Sequence, residues 1–467
     1  MSGLDELSRE ELIALVVKQH ETLQAQNARI VELEGVVAGQ AARICELEEE
    51  VRRLGGGRSS APVWIRPSVA RREKAPRRKR KQSFARKNLP PTRVVYHAVD
   101  RCCECGRKLA GGSVKWRHQV VELPRVSVDV TEHLFVERRC GVCGRRWTPT
   151  SESALAGVVV GKKRFGISLM SAIAHLKTAC RMPIGQIRRL LGAFYGLRIS
   201  AGEIAEILHD VAELGELEYK GLLSRIRGSP VVHGDETGWR EDGVNGYLWS
   251  FSSPDVRYYL YRKSRAGVVV TEVLGEDFAG TLVSDFLGSY NVYDGIKQRC
   301  WVHLCRDLDG LSENNPDLPR VSNWTGAVRS IYDRAKQAAK KELTEQERIR
   351  LRHGFEEELG RLCKPYLGVR GAPQRVLAER MERFLGELFT FVEYPDVPSE
   401  NNAAERAIRP AVVARKISGG TRSARGSHTA SVLRSLFETW TLEGRDTLDA
   451  CREMITRAAA AQPAPAR

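Results

Sequence analysis

Val231-Val232-His233-Gly234-Asp235 and, further along, Thr281-Leu282-Val283-Ser284-Asp285 are two apolar runs that each end in an aspartate. Both read as strands that deliver an acid at their end. Gly246 to Phe251 and Val256 to Tyr261, aromatic and β-branched, are two further strand candidates, and a helix is predicted over Ala266 to Leu274. Two aspartates at the ends of neighbouring buried strands converge at one edge of a sheet. Two-metal phosphoryl transfer needs that arrangement. Two Mg²⁺ ions roughly 4 Å apart require carboxylates on rigid elements, one ion serving the attacking oxygen and the other the leaving oxygen.

A third acid completes such a cage, and the candidate lies in Ser399-Glu400-Asn401-Asn402-Ala403-Ala404-Glu405-Arg406-Ala407-Ile408-Arg409. Read as a helix capped by Ser399, this stretch puts Asn402, Glu405, Arg406 and Arg409 on one face. Glu405 then reaches the metals while Asn402 and the arginines face phosphate oxygens. Glu400 stands five residues away, roughly 140° round the helix, and complements its positive end instead. Taken singly, each of these acids is more often a cap or a surface residue.

Between Glu313 and Tyr394 the chain reads as largely helical, with a capping box at Thr344-x-x-Glu347, and this insertion separates the second and third acids. Cys300-Trp301-Val302-His303-Leu304-Cys305-Arg306 follows another short strand. His303 and Arg306 project from one helical face toward the site, or His303 is a packed structural residue. Cys300, Cys305 and His303 suggest a metal, but no fourth ligand is in view.

Upstream, Val16, Leu23, Ile30, Val37, Ile44 and Val51 repeat every seven residues, with Leu33, Leu47 and Leu54 as an imperfect second row. The repeat reads as a weak or partner-dependent coiled coil, or as one helix lying on another domain. Gly55-Gly56-Gly57 ends it. Between Arg71 and Lys87 stand ten Lys or Arg and one Glu, including Arg77, Arg78, Lys79, Arg80 and Lys81. Such a run contacts nucleic acid without reading sequence, or serves only as a solubilising linker.

Cys102-x-x-Cys105 and Cys140-x-x-Cys143, 34 residues apart, form matched pairs followed by Gly106 and Gly144. Two thiolates from each pair suit one tetrahedral ion, so the segment is a predicted zinc ribbon with structural Zn²⁺. Val126, Val128 and Val130 alternate within Arg125 to Val136, which predicts an extended hairpin between the pairs. Residues 165 to 225 read as helices: Ile167 to Cys180, one opened by Pro183 and ended by Gly196, and one capped by Ser200-x-x-Glu203. They form a helix-turn-helix or simply pack on one another.

The 467 residues carry 42% apolar content and a formal charge of +16, which favours a polyanionic partner and more than one globular unit. No apolar run is long enough to span a bilayer. Met1 to His20 shows no basic-then-apolar leader, and seven of the eleven cysteines are scattered. A reducing cytoplasm is therefore the expected compartment.

In this combination the chain resembles the large transposase of the bacterial insertion-sequence-66 family, a group of DDE transposases. The likeness runs from the zipper-like helix through Cys102, Cys105, Cys140 and Cys143 to His233-Gly234-Asp235-Glu236-Thr237-Gly238-Trp239. It continues through Asp285 to Tyr290, His303-Leu304-x-Arg306 and Asn401-Asn402-x-x-Glu405-Arg406-x-x-Arg409-Pro410. Two features depart from the family pattern: an Arg/Lys run replaces a Gly- and Pro-rich, His-containing stretch, and Glu400 stands where Asp is usual.

The resemblance implies a multidomain α+β protein. It has a coiled coil (1–54), a basic linker (55–95), the zinc ribbon (96–150) and a helical DNA-binding segment (160–225). An RNase H-like, retroviral-integrase-like α/β catalytic domain (228–440) carries the helical insertion (313–394), and a C-terminal helix and tail follow (441–467). Asp235, Asp285 and Glu405 become the catalytic triad holding Mg²⁺ (or Mn²⁺). His303, Arg306, Asn402, Arg406 and Arg409 join the basic run as DNA contacts. The implied partners are transposon ends, target DNA, further copies of the chain and accessory proteins of the same element, in the cytoplasm on the nucleoid. The expected reaction nicks DNA and joins the freed 3′-hydroxyl to a target; the rival readings are a non-catalytic DNA-binding protein and a structure-specific nuclease on the same fold.

Overall fold

The computed structural model describes residues 89–123, 126–149, 158–160 and 164–461, with Leu155 and a few single positions before residue 36. The heptad row (Leu23 apart), the triple glycine and the basic run with Arg77 to Lys81 lie outside the described residues. Among the described residues, no helix is long and apolar enough to cross a membrane.

The chain divides into two compact units, residues 1–121 and 122–467. In the first, the Cys102–Cys105 turn is closed by Cys102 N–H donating to Arg107 O and Gly106 N–H donating to Cys102 O, both at 2.9 Å. In the second, the Cys140–Cys143 turn repeats the device, with Cys140 N–H donating to Arg145 O at 2.7 Å and Gly144 N–H donating to Cys140 O at 3.0 Å. Strands β1 (Arg138–Arg139) and β2 (Arg146–Trp147) flank this second turn and pair antiparallel. The longer hairpin expected over Arg125 to Val136 is absent, since residues 126–137 carry no strand. Val126, Val128 and Val130 are exposed, and a two-stranded ribbon with no covered face is marginal.

Four helices precede the sheet: α1 (Ile167–Thr178), α2 (Ile184–Tyr195), α3 (Ala201–Leu214) and α4 (Glu216–Arg227). Pro183 opens α2, Gly196 closes it in the left-handed conformation, and Ser200 and Glu203 make the expected capping box on α3. Ile187, Ile204, Val211 and Ile226 face inward and share one core with Trp249, Phe251 and Leu282 of the sheet, so these helices are continuous with it.

The sheet contains β3 (Val231–Glu241), β4 (Val244–Ser252), β5 (Arg257–Arg262), β6 (Thr281–Ser284) and β7 (Lys297–Arg299), in the order β5-β4-β3-β6-β7. The first three are antiparallel neighbours, while β3, β6 and β7 run parallel. Helix α5 (Val268–Leu274) connects β5 to β6. β3 does not stop at Asp235 as the sequence suggested; it continues to Glu241. Asp242 and Gly243 turn the chain with φ of 50° and 77°, a two-residue hairpin in which both central residues need positive φ.

After β7 come α6 (Trp301–Glu313), then the insertion's α7 (Pro319–Ala339), α8 (Glu345–Cys363), α9 (Arg375–Arg383), α10 (Leu385–Leu388) and α11 (Thr390–Glu393). They have their own core around Trp301, Trp324, Val328, Leu359 and Phe389. Trp301 fixes α6 to this body, stacking on Tyr332 with centroids 4.5 Å apart and donating Nε1–H to Leu388 O at 2.6 Å.

Helices α12 (Asn402–Ser418), α13 (Ala424–Leu442) and α14 (Thr447–Ala461) return to the sheet. α13 solves the problem of the edge strand β5. The N–H groups of Arg257, Tyr259 and Tyr261 donate to Thr439 Oγ1 (3.1 Å), Ser435 Oγ (2.8 Å) and Ser431 Oγ (3.1 Å). Two strand residues rise roughly 6.6 Å and four helix residues about 6.0 Å, so the two repeats stay in step. The hydroxyl ladder satisfies backbone donors that an edge strand otherwise leaves open.

Candidate active site

The parallel pairing of β3 with β6 sets the geometry of the first two acids. His233 pairs with Val283, so Asp235, two residues further along β3, and Asp285, just past the last residue of β6, both lie beside the end of β6. Neighbouring strands are about 4.8 Å apart, and residues of equal parity share a face. Each carboxylate is braced locally: Asp235 Oδ1 accepts the Glu236 N–H and Asp285 Oδ1 accepts the Leu287 N–H, both at 2.9 Å. Gly234 is required here because a Cβ would stand 2.7 Å from Cε1 of the fully buried Tyr290.

The third acid comes from the first turn of α12, where Glu405 N–H donates to Asn401 O at 3.1 Å. Asn401 joins this helix to β3. Its Nδ2 donates to Gly234 O at 2.7 Å, which leaves Oδ1 to accept the Nδ1–H of buried His233 at 3.0 Å. Burial pushes the His233 imidazole down to about 4, so it is neutral in that contact. Asn401 N–H also donates to Cys300 Sγ at 3.1 Å, tying the start of α12 to the start of α6.

The expected Ser399 cap does not form. The Ser399 hydroxyl is bonded to Tyr332 Oη at 3.0 Å and its carbonyl accepts Trp301 N–H at 3.0 Å, so the helix begins at Asn402. Glu400 therefore lies ahead of α12, where its charge bears on Tyr332. Asp235 feels Glu236, Asp285 and Glu405 instead.

Burial, and then the charges of Glu236, Asp285 and Glu405, push the Asp235 carboxyl up to about 7. Sequence reasoning missed Glu236 as a member of this cluster. Its side chain is 3% exposed, ion-paired to Arg265 at 2.6 Å and bonded by the Tyr290 hydroxyl at 2.9 Å. Burial raises its carboxyl too. The only sequence signal for it was an acid beside Asp235, on the other parity of the strand.

A stability prediction follows from Asp235. Its folded pKa lies above the ordinary 3.8, so the fold is unpenalised below about pH 4 and loses stability as pH rises toward about 7. In EDTA, Asp235→Asn should be more stable than the parent at pH 8 by as much as roughly 4 kcal/mol, at about 1.4 kcal/mol per tenfold in proton affinity. The difference should vanish at pH 4. Urea midpoints at the two pH values check this, and equal midpoints at pH 8 would refute it.

α6 brings the other expected residues to Glu405. His303 Nε2 lies 3.8 Å from Glu405 Oε1, and Arg306 NH2 lies 3.4 Å from Oε2. Arg406 and Arg409 are exposed on α12, and Asn402 is half-buried at its first position. Glu405 Oε1 is buried without a hydrogen-bond partner. That orphaned oxygen, and the charges of Asp285 and Glu405 acting on Asp235, fit divalent metal bound by Asp235, Asp285 and Glu405.

At the cysteine turns, backbone N–H groups aim at the leading sulfurs. Those of Cys105 and Glu104 lower the Cys102 thiol, and those of Cys143 and Val142 lower the Cys140 thiol. Sulfurs held this way are suited to metal ligation.

Residues 162–429 match the family model described as Transposase IS66 family. Two proteins of Sinorhizobium fredii (strain NBRC 101917 / NGR234) are similar. The chain is 32% identical to uncharacterized protein y4jO over 158 residues, 34% of this chain and 47% of that one. It is 26% identical to uncharacterized protein y4qI over 286 residues, 52% and 50% of the two. The chain thus spans about half the length of the curated relatives it matches.

Proposed function

The chain belongs to the IS66 family of transposases, and from that premise we propose that it binds the ends of an insertion sequence, nicks them and joins the freed 3′-hydroxyl to target DNA. The proposal rests on the parallel register that sets Asp235 and Asp285 beside the end of β6, on the charges of Asp285 and Glu405 acting on Asp235, and on the unpartnered oxygen of Glu405. DDE transposases use divalent metal, and here Asp235, Asp285 and Glu405 are its proposed ligands. When bound, Mg²⁺ (or Mn²⁺) would polarise the phosphate and favour attack by a hydroxyl.

The chain's own residues orient the parts. Asn401 ties the start of the Glu405 helix to the strand of Asp235, and Arg265 and Tyr290 hold the Glu236 carboxylate in the same acid cluster. Arg306 neutralises Glu405 from one side and, with Arg406, Arg409 and Asn402, offers donors to phosphate oxygens. His303 belongs to the same face. The mixed five-stranded sheet supports the RNase H-like reading. Arg77 to Lys81 supply sequence-independent phosphate contacts, and the heptad row supports self-association. Accessory proteins of the same element complete the proposed machinery. A labelled, pre-nicked end incubated with target DNA and Mg²⁺ tests the proposal: joined product is expected, and hydrolysis alone would favour a nuclease.

Cys102, Cys105, Cys140 and Cys143 are proposed to share one tightly held structural Zn²⁺. Cys105→Ser and Cys143→Ser should each lose that equivalent, read as zinc content after gel filtration. Retention of zinc by either variant would remove that residue from the set.

A further inference from the structure

Cys300, His303 and Glu405 each present a ligand atom, all within 4.8 Å of one another, from the start of α6 and the first turn of α12. The spacing Cys300-x-x-His303 shows two of these ligands in the sequence. The fold supplies Glu405 from a distant helix. Two of the three have an unmet need: His303 Nδ1 and Glu405 Oε1 are buried without hydrogen-bond partners.

Cys300 is fully buried and precedes α6 as its N-cap. Its sulfur accepts the Asn401 N–H from the start of α12, and the N–H groups of His303 and Val302 also face it. Burial raises the Cys300 thiol and these N–H groups oppose that rise, so two helix beginnings converge on a sulfur that bound zinc would deprotonate. Thiolate, imidazole and carboxylate, with a position left for water, are donors that zinc takes, whereas Mg²⁺ selects oxygen. Ligand atoms bonded to tetrahedral zinc at 2.0–2.3 Å stand roughly 3.3–3.8 Å apart, so contraction by about 1 Å closes this set.

We propose that Cys300, His303 and Glu405 form a Zn²⁺ site that shares Glu405 with the acid pair, so that Zn²⁺ and the Mg²⁺ of catalysis compete for one carboxylate. Zinc would hold Glu405 toward α6 and keep the enzyme inactive. The competition rests on Glu405 serving the catalytic metal; the zinc site itself does not.

The test uses the full chain, stripped of metal and titrated with Zn²⁺ against a chromophoric chelator. The parent should bind one equivalent more than Cys300→Ser, and equal stoichiometry would overturn the site. Glu405→Gln should lose the same equivalent, which decides the matter if circular dichroism shows that Cys300→Ser does not fold. With Mn²⁺ bound and followed by electron paramagnetic resonance, the extra Zn²⁺ equivalent should release one Mn²⁺ from the parent and none from Cys300→Ser. Undisturbed Mn²⁺ beside bound Zn²⁺ would overturn the sharing of Glu405. If the parent binds no Mn²⁺ at all, the reading of the acid triad fails, while the zinc stoichiometry still decides this site.

Discussion

Glu405→Gln is expected to lower strand transfer about 1,000-fold or more while DNA-end binding survives. A ligand carboxylate on a catalytic divalent ion underwrites several kcal/mol of transition-state stabilisation, and each 1.4 kcal/mol is tenfold in rate. The amide keeps the size of the side chain and its place one turn after Asn401, so the loss reports on charge. Glu400→Gln is the matched control. Glu400 precedes α12, and its charge bears on Tyr332 rather than on Asp235. Its joining rate should stay within a few-fold of the parent's. A reversal, with the Glu400 variant dead and the Glu405 variant active, would transfer the third acid to Glu400.

Arg299→Met should have the largest effect on the fold itself, costing about 3 kcal/mol or more. Arg299 is fully buried on β7 and serves four partners. It donates to Glu387 at 2.6 Å, Asn291 at 2.7 Å, the Asp285 carbonyl at 2.8 Å and Ser284 at 3.1 Å. One guanidinium thus joins the strand end that carries Asp285 to the insertion. Breaking a buried ion pair from one side costs about 3–5 kcal/mol, because the remaining charge is left uncompensated. The lower end applies, since Glu387 is 24% exposed and keeps Lys297 at 3.4 Å. Lysine should not rescue, because one ammonium cannot reproduce the planar fork. Chemical denaturation gives the number; a cost below about 1 kcal/mol would show that neighbours or water replace the guanidinium.

Much of the site was legible because its signals are local. Apolar runs ending in Asp235 and Asp285, the capping boxes at Ser200 and Thr344, and the Gly196 stop each depend on residues a few positions apart. The structure places them as read, apart from the added length of β3. That length had its own signal in Asp242-Gly243, a two-residue hairpin turn.

What sequence could not show depends on partners far along the chain. Ser399 looks like a cap, but Tyr332 takes its hydroxyl and moves the helix start to Asn402. Asn401 falls inside the helix read from a Ser399 cap, yet it precedes that helix and binds Gly234 and His233. The hairpin expected over Arg125 to Val136 was inferred from alternation alone, and alternation needs a covered face to become a strand. Ser431, Ser435 and Thr439 recur every four residues along α13, a pattern visible in sequence whose meaning appears only against the edge strand β5.

The proposed three-acid metal site can be read out directly with Fe²⁺ as the probe. Fe²⁺ bound in place of Mg²⁺, with ascorbate and peroxide, generates radicals that cut the polypeptide beside the ion. Fragments should end near residues 235, 285 and 405, three segments that are distant in sequence. Excess Mg²⁺ should suppress all three cuts, and Asp285→Asn should abolish them together. Cuts insensitive to Mg²⁺, or found only away from Asp235 and Asp285, would contradict a shared metal site on these three carboxylates.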